Sequence, residues 1–105
     1  MATEVSVSDL ALAISDNAWV LDVREDDEWE DGHVPNAHHI PLNSLPDRWH
    51  EVADDERVFV ICRSGGRSQT AADFLLSKGI DCVSVAGGTQ SWIDSGREVS
   101  TDASL

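Results

Sequence analysis

The sequence predicts an α/β domain built on a mostly parallel sheet of about four to five strands, with helices on both faces. Three observations carry this. Stretches of strand and helix character alternate along the chain, and the connections between them are short. The best strand, Arg57-Val58-Phe59-Val60-Ile61, is apolar on both faces, as a strand buried in the middle of a sheet must be. The 105 residues match the usual size of one domain and suffice for one modest core. A single domain over 1–105 is expected, with its core at about 5–96 and a polar, flexible tail at 97–105.

The elements follow in order. Ser6 or Ser8 can cap a helix carrying Leu10, Ala11 and Ile14, and the apolar run Ala18-Trp19-Val20-Leu21 then makes a buried strand ending at Asp22. Glu25 to Asp31 is acidic with one Trp29 and stops at Gly32, which allows about two helical turns. Pro35, Pro41 and Pro46 leave room for only a short strand at Ala37-His38-His39-Ile40, followed by a helix around Asp47 to Val52. After the 57–61 strand, Ser68 to Lys78 places Ala72, Leu75 and Leu76 at helical spacing with Gly79 as the stop. A strand at Asp81 to Val85, a turn at Gly87-Gly88 and a helix around Thr89 to Asp94 complete the pattern.

Composition narrows the function. At 41% hydrophobic and 26% charged the chain lies in the range of ordinary globular domains. Twenty acidic residues against seven basic ones give a formal net charge of −13, which argues against nucleic acid and anionic membranes as partners. No apolar run approaches the ~18 residues of a membrane span, and no basic segment opens the N-terminus. A soluble, unexported, cytoplasmic protein is expected. Cys62 and Cys82 need not pair in a domain of this size.

In parallel sheets, ligands bind beyond the carboxyl ends of the strands. That rule singles out Cys62-Arg63-Ser64-Gly65-Gly66-Arg67-Ser68, which joins the best strand to the best helix. A cysteine there faces backbone N–H groups at the positive end of a helix, and Gly65 and Gly66 permit the tight curl. Helix N-termini and cations lower a thiol pKa, and Arg63 and Arg67 are two of only six arginines. Cys62 is therefore the candidate nucleophile. Cys82, in an apolar strand without glycines or arginines beside it, reads as structural.

Three segments in order resemble the rhodanese homology domain. They are Leu21-Asp22-Val23-Arg24-Glu25 with Gly32-His33-Val34-Pro35-Asn36-Ala37 and Ile40-Pro41-Leu42, then the Cys62 to Ser68 loop, then Val85-Ala86-Gly87-Gly88 with Trp92. The resemblance spans roughly Val5 to Gly96. It implies a single-domain thiosulfate sulfurtransferase of rhodanese-like fold, in which a small anionic donor gives its outer sulfur to Cys62. The persulfide then passes that sulfur to cyanide or a thiol. By the same resemblance, the backbone N–H groups from Arg63 through Ser68 cradle the sulfur. Arg63 and Arg67 orient the donor, with Arg67 the better placed, and Ser64 and Ser68 add hydroxyl donors. A sulfur-relay protein is a further possible partner, and a monomer is favoured.

Attack of a thiolate on a sulfane sulfur needs no general base, and neither a cofactor nor a metal is expected from His33, His38, His39 and His50. Asp22 and Arg24 read as a scaffold for neighbouring loops, His33 as a structural donor in its turn, and Glu25-Asp26-Asp27-Glu28 as the cap of a short helix. Two alternatives stand beside the sulfurtransferase. A dedicated persulfide carrier or binding module would show the same loop. A Cdc25-like phosphatase or arsenate reductase would need an arginine six positions after the cysteine, where this chain has Ser68.

Overall fold

The structure, a computed structural model, describes residues 2–101. Along the chain lie β1 (Glu4–Val5), α1 (Val7–Ser15), β2 (Trp19–Asp22), α2 (Asp26–Asp31), β3 (His38–His39), α3 (Leu45–Arg48), β4 (Val58–Ile61), α4 (Gly66–Ser77), β5 (Cys82–Val85) and α5 (Gly88–Asp94). The five strands form one sheet in the order β1-β5-β4-β2-β3, with every pairing parallel. The apolar segment of the 57–61 run, β4, lies in the middle, as its two apolar faces require. β1 is too short to show a period; it forms as the edge partner of β5, with Glu4 opposite Ser84 and Val5 opposite Val85.

Side chains of β4 alternate between the two faces. Val58, Val60 and, one residue beyond the strand, Cys62 join Leu21, Val23 and Cys82 under Ala71, Ala72 and Leu75 of α4. Ile61, with Phe59 packed alongside, turns the other way and joins Val20 and Val85 under Leu10 of α1 and Trp92 of α5. Parity along the strand thus sends Cys62 to the α4 side. Ser6, not Ser8, caps α1: its hydroxyl accepts from the Asp9 N–H at 3.1 Å while the Asp9 carboxylate accepts from the Ser6 N–H at 3.2 Å.

Two expectations need correction. The helix expected at 47–52 starts earlier and is broken, with 3₁₀ turns at Leu42–Ser44 and Trp49–Glu51 flanking α3. Pro46 fits there because its missing N–H costs nothing in a first turn. The part of the expected flexible tail that is described, 97–101, makes contacts with the body of the domain. The Trp92 indole donates to the Glu98 carbonyl at 2.8 Å, Val99 packs on the α1/α5 side of the core, and Ser100 exchanges two 2.8 Å backbone bonds with His33. The His33 partner is 67 residues away, so the polar composition of the segment gives no hint of it. The rest of that tail, 102–105, lies outside the described residues. No helix among the described residues is long and apolar enough to cross a membrane.

Candidate functional site

Cys62 to Gly65 form the turn between β4 and α4, and the Cys62 sulfur sits on its floor, with the residue only 1% exposed. The Gly65 N–H donates to the sulfur at 3.1 Å, and the N–H groups of Ser64 and Ser68 also act on it. Gly65 has φ +120°, a conformation that side-chain-bearing residues avoid. Gly66 has no such constraint and open space where a Cβ would stand, so the curl depends on Gly65 and not on the glycine pair.

Burial pushes the Cys62 thiol up, but hydrogen bonding from the Ser68 hydroxyl and from the N–H groups of Ser68, Gly65 and Ser64 outweighs it, and the thiol lies below its ordinary value. The main lowering influences are thus the loop's amides and one hydroxyl, where the sequence suggested arginines as well. Cys82 shows the contrast. Burial, with Asp81 and Asp73 nearby, pushes it up to about 11, and its sulfur donates to the Ala72 carbonyl at 3.3 Å. Both cysteines are free thiols.

The amides face the sulfur because the loop's carbonyls are held from the other side. Thr89 N–H donates to the Cys62 carbonyl at 2.8 Å and Gln90 N–H to the Arg63 carbonyl at 3.0 Å, so the first turn of α5 clamps the loop. Gly88 makes this approach possible: a Cβ there would stand 2.6 Å from the Arg63 oxygen and collide with that of Cys62. The sequence reading took Gly87-Gly88 only as a turn; the spacing of the glycines gave no sign of what they would touch.

The two loop arginines separate. Arg67 makes a bidentate pair with Glu28 of α2, at 2.6 and 2.8 Å. The Arg67 hydrogen bond is the main cause that lowers the Glu28 carboxyl to about 2, and Glu28 in turn raises Arg67. Glu28 also accepts from the Glu25 N–H at 3.0 Å, so it serves as cap and partner at once. Sequence reading saw only the cap, because Glu28 and Arg67 stand 39 residues apart. Both terminal nitrogens of Arg67, expected as the better placed of the two, are thus occupied, whereas Arg63 lies exposed on the rim and forms no ion pair among the described residues. Arg63 borders an open cleft of about 320 Å³ whose lining includes Arg24, the acidic Glu28 and Asp31, Thr89 and Gln90. Thr89 Oγ1 is buried and has no hydrogen-bond partner among the described residues.

The remaining conspicuous residues brace the surroundings. Arg24 grips Asp22 through Nε at 3.0 Å and Nη2 at 2.8 Å, and Nη2 also donates to the Gly32 carbonyl at 2.7 Å, joining the end of β2 to the end of α2. His33 Nδ1 lies 2.8 Å from the Trp29 carbonyl, and its ring stacks 3.5 Å from that of Trp29.

Comparison with known proteins places this geometry among relatives. The model of the family "Rhodanese-like domain" matches residues 6–95. "Putative sulfurtransferase YtwF" of Bacillus subtilis is 36% identical over 74 residues, covering 70% of this chain and 72% of the relative. "Putative sulfur carrier protein YrkF" of the same organism is also 36% identical over 74 residues, covering 70% of this chain and 40% of the longer relative. Among solved structures, a rhodanese-related protein from Thermoplasma volcanium superposes with a TM-score of 0.90 at 37% identity, covering 95% of this chain and 99% of that one.

Proposed function

The chain belongs to the rhodanese-like domain family, and from that premise we propose that it transfers sulfane sulfur through a persulfide on Cys62. The observation that carries this reading is the Cys62 sulfur at the head of α4, with the Gly65 N–H 3.1 Å away and the thiol held below its ordinary value despite burial. The Cys62 thiolate attacks the outer sulfur of a donor such as thiosulfate. A sulfur–sulfur bond forms to Cys62, the donor's own sulfur–sulfur bond breaks, and its electron pair leaves on sulfite. A thiolate or cyanide then takes the outer sulfur and returns Cys62 to its thiolate form. No proton is removed from the donor, so no base is required.

With Cys62 so little exposed, the loop favours a donor that offers its reactive atom at the tip of a narrow group. Arg63 on the rim is the cation available to the donor's oxygens, and the unpartnered Thr89 hydroxyl in the adjoining cleft offers a further hydrogen bond. Ser64, Gly65 and Ser68 hold the sulfur, Gly66 opens α4, and Arg67 braces the loop through Glu28. A dedicated sulfur carrier is the second reading, favoured by the likeness to a relative named as a carrier.

Intact mass spectrometry after thiosulfate treatment tests the first step. The protein and its Cys82→Ser variant gain one sulfur atom, and Cys62→Ser gains none. Uptake by Cys62→Ser overturns the assignment. Catalytic turnover with cyanide then marks an enzyme, and a single uptake without turnover marks a carrier.

A further inference from the structure

Three side chains form a line beneath α4. Cys62 Sγ lies 3.5 Å from Ser68 Oγ, which lies 2.7 Å from Ser84 Oγ on β5. Ser68 and Ser84 are fully buried; Ser84 does not line the cleft, and its side chain is hydrogen-bonded to Ser68 and not to the sulfur. It belongs to this line by register: Ser84 pairs with Val60, two residues before Cys62 and on the same face.

A hydroxyl has one proton and can accept two hydrogen bonds. With the thiol protonated, Ser68 donates to the Gly65 carbonyl at 3.0 Å and accepts from the thiol and from Ser84. Ser84 has no other hydrogen-bond partner for its side chain among the described residues, so its proton points at Ser68 Oγ. Once the sulfur ionises it can only accept, and the nearest hydroxyl proton is that of Ser68. The Gly65 carbonyl can release that proton because the Gln69 N–H also donates to it, at 3.2 Å. After the swing, Ser68 still accepts from Ser84, and every group in the line keeps a partner.

We propose that Ser84 is a positioning residue for the nucleophile: by donating to Ser68 Oγ, it holds and polarises that hydroxyl so that its single proton turns from the Gly65 carbonyl to the sulfur as the thiolate forms. Hydrogen bonds in such a chain strengthen one another away from water. Removing Ser84 leaves Ser68 a poorer donor with an unfilled lone pair. The charged groups near the sulfur are Arg63 on the loop and Arg67 on α4 with its partner Glu28 on α2. All of them remain in the variants below.

This rests on the reading of Cys62 as the nucleophile, but its test follows the proton on the sulfur and not sulfur transfer. A protein that takes up no sulfur from thiosulfate therefore fails the earlier reading, whereas an unmoved titration fails this one. In a Cys82→Ser background, the ultraviolet absorbance of the thiolate reports Cys62 alone, whatever its exposure. Ser84→Ala moves the titration to higher pH, so that below the midpoint the thiolate fraction falls about three- to tenfold. Ser84→Thr, which keeps the hydroxyl, leaves the titration in place. Added to Ser68→Ala, Ser84→Ala produces no further shift, because its route to the sulfur is already cut. An unchanged titration in Ser84→Ala, or an equal shift with and without the Ser68 hydroxyl, overturns the proposal.

Discussion

Replacing Gly88 with alanine tests whether α5 holds the Cys62 loop in shape. Gly88 has φ +57°, and a Cβ added there would lie 2.6 Å from the Arg63 carbonyl oxygen. The left-handed conformation costs a non-glycine residue about 1–2 kcal/mol. The collision also pushes the loop off the Thr89 and Gln90 N–H groups, which hold it at 2.8 and 3.0 Å. Each hydrogen bond is worth about 0.5–1.5 kcal/mol. Gly88→Ala is therefore expected to lose about 2–5 kcal/mol, a large part of the stability of a domain this size. That corresponds to a fall of about 10–20 °C in Tm. The thiol titration rises as well, because amides that lose their anchor no longer aim at the sulfur. Gly66→Ala is the control: it meets nothing within 4 Å and has no positive φ. Thermal melts followed by tryptophan fluorescence, paired with thiolate absorbance, check both effects. If Gly88→Ala melts within about 2 °C of Gly66→Ala with an unchanged thiol, the clamp does not exist as described.

Two further outcomes are expected. The Glu28 carboxyl is held at about 2 against an ordinary 4.5. The stability this contributes is complete above pH 4.5 and is lost as pH falls from there through 2; with the pair 25% and 33% exposed, it amounts to about 1–2 kcal/mol. Urea melts should show Glu28→Gln less stable than the parent at pH 6 and the gap narrowing at pH 3; a gap that widens on acidification would falsify the sign. For donor encounter, the formal charge of −13 repels an anion such as thiosulfate at long range, whereas the loop acts only at contact. Added salt is expected to raise kcat/KM modestly, and a steep fall in stopped-flow rates would show that the rim arginine governs encounter instead.

The parts of the fold and site that were legible in the sequence are those written locally. The 57–61 run announces a central strand by its apolar residues, and Cys62 to Ser68 announces a tight strand-to-helix turn around a thiol because its cysteine and glycines are contiguous. β1 was not legible, because two residues carry no period and its reason for being a strand is the edge of β5. Glu28, Ser84 and Gly88 were missed for one shared physical cause. Each acts on the loop across the fold, from α2, β5 and the start of α5 respectively. Only parallel register brings Ser84 under Ser68, and only the close approach of α5 makes Gly88 obligatory. The pairing of Arg67 was hidden for the converse reason: sequence displays a side chain's charge but not the partner that occupies it.

The clamp has a consequence for a chain emerging from the ribosome. When synthesis has reached only α4, the cysteine, its glycines and both arginines are already present, yet the residues that orient the amides and back the hydroxyl are still untranslated. The sheet's first strand also waits for β5 before it has a neighbour. Until then the loop lacks the Thr89 and Gln90 N–H groups that hold its carbonyls, so the pocket around the sulfur is completed only when the later segments dock.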